Sequence, residues 1–295
     1  MLKGIYTPIV TPFNADEKID FHGIEHNLDK WGKTELDGIV VLGSNGENVH
    51  LTYHEKLEIV EFTLKHFNRD KKVIAGTGCE STKETLELSN RVADLGVDAA
   101  LVLPPHYYRN GMKEDILYQH YVDIADKCAI PVMIYNMPAN TGINLSAKLV
   151  SSLSHHPNII GIKDTSGNIV QLAELNRDCE KSFTVFAGNA GYLLPALSVG
   201  ARGATLALAN ILPDDCCRLV SLFKQGNLDE AKNLQLKMLD VNYTVTGRFG
   251  VPALKVALDL LGYKGGYPRR PLRPLGDTEK IAVKEILIKY GALSE

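Results

Sequence analysis

Eight short apolar runs alternate with longer amphipathic ones along the chain, and this rhythm restricts the fold more than any other feature. The runs are GIYTPIVTPF (4–13), GIVVLG (38–43), VIAGTG (73–78), DAALVLPP (98–105), PVMIYN (131–136), NIIGIK (158–163), FTVFAG (183–188) and ATLALA (204–209). Most are bounded by Gly, Pro, Asn or Asp, as buried parallel strands are. Between them, HEKLEIVEFTLKHF (54–67) and KETLELSNRVADLG (83–96) repeat apolar residues at helical spacing. Gly96 reads as a C-cap, and STKE (81–84) has the form of a capping box. Eight strands, seven intervening helical segments and an eighth helix from about Pro213 count out a (β/α)8 TIM barrel over residues 1–226. A doubly wound open sheet is the competing arrangement. It calls for a GxGxxG turn after an early strand, and the sequence has none.

Residues 227–295 read differently. LDEAKNLQLKMLDVNYTV (228–245) and PALKVALDLLGY (252–263) are helical in period, and a last helix is expected around 277–290. They predict a C-terminal three-helix extension. PRRPLRP (268–274), between the last two helices, has the PxxP form of a ligand segment, but a solvated connection is the expectation.

A net charge of −3 without clustered basic residues points away from nucleic acid. No apolar run approaches the ~18 residues of a membrane span. The start, MLKGIYTPIVTPF, has neither a charged-then-apolar leader nor an Arg-rich amphipathic one, so the expected location is cytoplasmic. Five cysteines, an odd number without CxxC spacing, fit free thiols in a reducing compartment and argue against structural zinc.

In a barrel of this kind chemistry sits where strands end. Those ends carry Gly43-Ser44-Asn45-Gly46-Glu47, Tyr107-Tyr108, Tyr135-Asn136, Lys163, Thr165, Gly188-Asn189 and Thr205. Lys163 follows the apolar Ile159, Ile160 and Ile162. It reads either as a snorkelling or ion-paired lysine, with Asp164 the adjacent partner, or as a functional amine. An amine taken out of water is pushed toward its neutral form, which attacks ketones to give a Schiff base. The GSNGE loop reads either as an ordinary turn or as a nest of amides for a carboxylate or phosphate. A nest and an amine in one mouth suit an α-keto acid. Tyr135 is either a core tyrosine or a proton relay beside an imine. Tyr107 and Tyr108 read as surface or interface aromatics.

The segments TPFN (11–14), GSNGE (43–47), PPHYY (104–108), YNMPANTG (135–142) and GIKDTSG (161–167), in that order, resemble the pyruvate-dependent class I aldolase family. That family includes dihydrodipicolinate synthase and N-acetylneuraminate lyase. The resemblance spans nearly the whole chain. It implies a barrel with three C-terminal helices, a homotetramer, and chemistry with no metal or organic cofactor. It makes Lys163 the Schiff-base lysine, Tyr135 the proton shuttle and Ser44 a relay, with pyruvate's carboxylate held at Ser44–Asn45. One tyrosine of the Tyr107/Tyr108 pair, Tyr107 by preference, would reach the neighbouring subunit's site. Tyr108, Asn140, Thr165, Gly188, Asn189 and Thr205 complete the expected substrate contacts.

Synthases of the family carry a Thr-Thr pair in the first loop and an arginine that grips the second substrate. This chain has Ser44-Asn45 and Asn140 there, and a neutral amide replaces a bidentate guanidinium poorly. GSNGE, GCEST, PANTG, HPNIIGIKD, ALAN and RFGVP together look most like the 4-hydroxy-2-oxoglutarate aldolase branch, which also resembles aldolases for 2-keto-3-deoxy sugar acids. AGNAG (187–191) fits the sialate-lyase pattern less well. The expected activity is cleavage or formation of a 2-oxo acid from pyruvate and a small aldehyde or 2-oxo acid. Dihydrodipicolinate synthase is the alternative, with Arg109 as the basic residue that could stand in for the missing arginine. A non-catalytic sensor or scaffold would have lost part of the lysine–tyrosine–serine set, and this chain keeps all three.

Overall fold

The computed structural model describes residues 2–294; Met1 and Glu295, the outer bounds of the two expected units, lie outside them. All eight expected strands form. They are β1 (Gly4–Pro8), β2 (Gly38–Val41), β3 (Lys72–Gly76), β4 (Ala99–Val102), β5 (Val132–Asn136), β6 (Ile159–Asp164), β7 (Thr184–Ala187) and β8 (Gly203–Thr205). Each pairs in parallel with the next, and β1 closes on β8 through Gly4 opposite Gly203. Several strands stop short of their apolar runs. β1 ends at Pro8 and β4 ends before Pro104-Pro105, because proline brings no N–H to a ladder.

The helices are α1 (Phe21–Gly32), α2 (Tyr53–His66), α3 (Thr82–Leu95), α4 (Glu114–Lys127), the single turn α5 (Pro138–Thr141), α6 (Ala147–Ser154), α7 (Ile169–Asp178), the short α8 (Leu193–Ser198) and α9 (Pro213–Lys224). Gly96 caps α3 in the left-handed region, with φ 102°. In the same helix Ser81 accepts from the Glu84 amide at 3.1 Å, one half of the expected box. Both halves form one helix earlier, at Thr52 and Glu55.

Alternation along the strands sorts the core into two layers. Tyr6, Val40, Ile74, Ala99, Leu101, Met133, Tyr135 and Phe186 fill the barrel interior. A larger cluster, including Ile5, Ile39, Val73, Ile134, Ile162 and Val185, lies between strands and helices. Backbone approach around the barrel is close: a Cβ on Gly161 would lie 2.4 Å from the Thr184 carbonyl oxygen.

The extension consists of α10 (Leu228–Tyr243), a five-residue π-helical turn (Thr244–Arg248), α11 (Gly250–Leu260) and α12 (Asp277–Tyr290). α10 was expected to run to Val245; the backbone widens two residues sooner. PRRPLRP is solvated, as expected, at Arg270, Pro271, Arg273 and Pro274, but not at Pro268 and Arg269. The Arg269 side chain is only 13% exposed and forms a bidentate pair with Glu55, at 2.7 and 2.8 Å. It also donates to the carbonyls of Glu17 and His50. The segment therefore fastens the end of the chain to the first two βα units. No helix among the described residues is long and apolar enough to cross a membrane, and the five cysteines are unpaired.

Candidate active site

A cavity of about 760 Å³ opens at the C-terminal ends of the strands. Ser44, Asn45, Tyr135, Asn140, Lys163, Thr165, Gly188, Asn189 and Thr205 all line it. These are the expected site residues except Tyr107 and Tyr108.

Lys163 enters from β6, with Tyr135 of β5 and Phe186 of β7 as its register partners. It is 3% exposed, and its Nζ lies 4.0 Å from the centroid of the Tyr135 ring. The amine thus sits over the electron-rich face of the ring. Among the described residues no carboxylate or carbonyl accepts from Nζ. The ion pair with Asp164 does not form, because successive residues of a strand face opposite ways. The Asp164 carboxylate instead accepts from Asn136 Nδ2 (2.7 Å), Gln171 Nε2 (2.9 Å), the Ser166 amide (2.9 Å) and the Ser166 hydroxyl (2.5 Å). Neutral donors satisfy that buried charge and leave Lys163 unclaimed.

The Tyr135 hydroxyl lies 3.4 Å from Ser44 Oγ, so two hydroxyls meet in the cavity that Lys163 lines. Ser44 belongs to a one-turn 3-10 helix, Ser44–Gly46, at the end of β2. The first amides of such a turn have no partner within it. Asn45 adds a buried side-chain nitrogen without a partner among the described residues. Unpaired donors facing a cavity are the complement of a carboxylate.

The other expected contacts are held by neighbours. Thr165 turns its hydroxyl to the Asn136 carbonyl at 2.6 Å, and a Cβ on Gly188 would fall 2.1 Å from Thr165 Cγ2. Asn189 Oδ1 accepts from the Gly191 amide and from Asn242 Nδ2, both at 2.8 Å. Tyr192, beneath this loop, donates to the Asp164 carbonyl at 2.9 Å, and burial raises its phenol well above the ordinary value.

Asn140 stands on α5 at the cavity rim and also borders a neighbouring depression that holds Tyr107, Tyr108 and Arg109. The two tyrosines are 78% and 75% exposed and meet edge to face, 5.1 Å between centroids. Arg109 lies across Gly142, outside the main cavity, where a Cβ at 142 would come 2.7 Å from its guanidinium. Lys163 is the only cationic side chain among the described residues lining the cavity.

Sequence reasoning missed one wall. Asp240, Asn242, Tyr243, Thr246 and Gly247, from α10 and the π-helical turn, face the strand ends across the cavity. The RFGVP segment marked this region only as part of a pattern. Among the described residues no group of three His, Cys, Asp or Glu could hold a metal ion.

The family model described as the dihydrodipicolinate synthetase family matches residues 1–290. A 4-hydroxy-tetrahydrodipicolinate synthase of Caldicellulosiruptor saccharolyticus is 35% identical over 291 residues, 99% of this chain and 98% of the relative. One from Thermodesulfovibrio yellowstonii is 36% identical over 293 residues, 99% of this chain and all of the relative. A prophage protein of the dihydrodipicolinic acid synthase family from Escherichia coli K12, solved in complex with pyruvate, superposes with a TM-score of 0.93. It is 31% identical, with 99% of each chain covered. The two synthases carry the activity that sequence analysis placed second, and neither name singles out the 4-hydroxy-2-oxoglutarate branch. Closed barrel, strand-end lysine and end-to-end similarity agree: the chain belongs to the dihydrodipicolinate synthetase family, as a lyase of the class I aldolase type.

Proposed function

We propose that the protein makes or breaks a carbon–carbon bond in a 2-oxo acid, with pyruvate held on Lys163 as a Schiff base. The observation that carries this reading is a buried amine without a counter-ion, set in one cavity with unpaired donors at Asn45. The neutral amine adds to the pyruvate ketone, and loss of water leaves an iminium. The iminium draws electrons from the bond at C3, so a C3 proton leaves in synthesis, or an aldehyde in cleavage, and an enamine remains. Tyr135 and Ser44 carry the protons between nitrogen, oxygen and the departing groups. The protein acts as a cytoplasmic homotetramer, with Tyr107, or else Tyr108, completing the neighbour's site.

The second substrate meets Asn140 rather than a guanidinium. Replacing a charge-assisted pair by a neutral one costs about 1.5–3 kcal/mol, roughly 10- to 150-fold. The acceptor is therefore a small aldehyde such as glyoxylate, or a hydroxylated one. Cleavage of 4-hydroxy-2-oxoglutarate or of a 2-keto-3-deoxy sugar acid then exceeds condensation with aspartate semialdehyde in kcat/KM. The names of the relatives favour a second reading, 4-hydroxy-tetrahydrodipicolinate synthase. Borohydride trapping with pyruvate is expected to label Lys163 and to fail in Lys163→Ala; labelling elsewhere sinks the Schiff-base reading. Competing kcat/KM values on one preparation then separate the two activities, and a win for aspartate semialdehyde replaces the first with the second.

A further inference from the structure

The turn that carries Ser44 and Asn45 ends on Glu47, a non-glycine residue in the left-handed region (φ 55°, ψ 37°). Strain of this kind persists where surrounding contacts over-determine it. Here the contacts converge on the carboxylate, which is 1% exposed. Its Oε1 lies 2.6 Å from Nζ of Lys255 on α11, also 1% exposed. Its Oε2 accepts from the Arg269 amide at 2.9 Å and faces His50 Nδ1 at 3.3 Å. Lys255 Nζ also donates to the carbonyls of Thr11 (2.8 Å) and Tyr267 (2.7 Å). Thr11 in turn donates its hydroxyl to the Gly46 carbonyl at 2.8 Å. The Gly46–Glu47 corner is thus tied to the loop after β1 and to the C-terminal extension at once.

A buried lysine–glutamate pair is a poor way to gain stability, since apolar residues of the same volume pack there at no desolvation cost. What such a pair supplies is a single register. The element it registers is the turn whose displacement would carry Ser44 away from Tyr135 and Asn45 out of the cavity. Neither Glu47 nor Lys255 lines that cavity.

We infer that Glu47 and Lys255 are positioning residues of the active site, through which the C-terminal extension sets the Ser44–Asn45 turn against Lys163. The inference rests on the aldolase reading above. It goes beyond that reading by giving the extension a task in pyruvate binding.

The test compares wild type, Glu47→Gln, Lys255→Met and the double variant. Each is measured for melting temperature, for KM of pyruvate and of the aldehyde in the condensation direction, and for borohydride labelling of Lys163. The single variants strand a buried polar group and melt lower; the double variant removes both charges and regains most of the loss. With melting restored, the double variant is expected to keep a pyruvate KM raised at least tenfold, with the aldehyde KM changed less than threefold. Recovery of both melting temperature and pyruvate KM overturns the inference and leaves the pair a packing device. If the double variant does not fold, Glu47→Gln assayed well below its melting point decides: an unchanged pyruvate KM overturns the inference, and a selective rise sustains it. A wild-type enzyme that pyruvate and borohydride fail to label takes down the aldolase reading and this inference with it. A labelled wild type with indifferent variants takes down this inference alone.

Discussion

Lys163 and His120 are two buried nitrogen bases in different surroundings. Lys163 lies over the face of the Tyr135 ring in the open cavity. His120 is simply enclosed: Nδ1 meets Thr82 Oγ1 at 2.8 Å, while Nε2 is buried without a partner among the described residues. Desolvation holds its imidazole down to about 4 from the ordinary 6.5, although Asp123 nearby opposes the shift. The folded state therefore binds this proton more weakly than the unfolded chain. The stability tied to neutral His120 is complete above pH 6.5 and is lost progressively as pH falls toward 4, up to about 3 kcal/mol. Chemical denaturation of wild type at pH 6.5 and 4.5 is expected to show a larger drop than the same pair of curves for His120→Gln; parallel drops would refute this. The contrast also marks what sequence disclosed at this scale. Lys163 announced itself by standing at the end of an isoleucine-rich strand. His120 sits among ordinary helical residues, and only its tertiary surroundings give it a consequence.

At the scale of elements, β6 and β7 set the precision of the site. Gly161 lies two residues before Lys163 and opposite Thr184. A methyl group there meets the backbone carbonyl of Thr184 rather than a side chain that could swing aside. Gly161→Ala is expected to force the strands apart, costing about 1–3 kcal/mol in urea unfolding and lowering kcat through the shifted lysine. An alanine variant of wild-type stability would mean that the strands yield more easily than their pairing indicates. Strand count and order were legible because period and punctuation are local. Strand ends were less so, since Pro8 and Pro104 cut ladders that hydropathy alone would extend. The one-turn α5 and the short α8 fall below the length at which a helical period can be read. Arg269 was misread for another reason: its partner Glu55 is 214 residues away, so local composition described only the loop and not what the loop holds.

For the molecule as a whole, the exposed edge-to-face pair Tyr107–Tyr108 beside the cavity rim is the strongest sign of a partner surface. Large aromatic side chains left in water are characteristic anchors of interfaces. On the proposed homotetramer, dilution that dissociates subunits is expected to reduce activity in step with sedimentation, and Tyr107→Ala to lower kcat even where assembly survives. A fully active monomer would overturn this. The resemblance carried the expectation of assembly; the barrel and its extension followed from the rhythm of apolar runs. The far wall of the cavity stayed hidden, because Asn242 meets Asn189, and Thr246 joins the lining, only after the last helices fold back. That geometry has a temporal side. Synthesis delivers Lys163 well before the residues of α10 and the turn that enclose it, so a chain interrupted after α9 holds the amine without its cover. The compartment is finished only when residues 239–251 are in place, well after the strand that bears the amine.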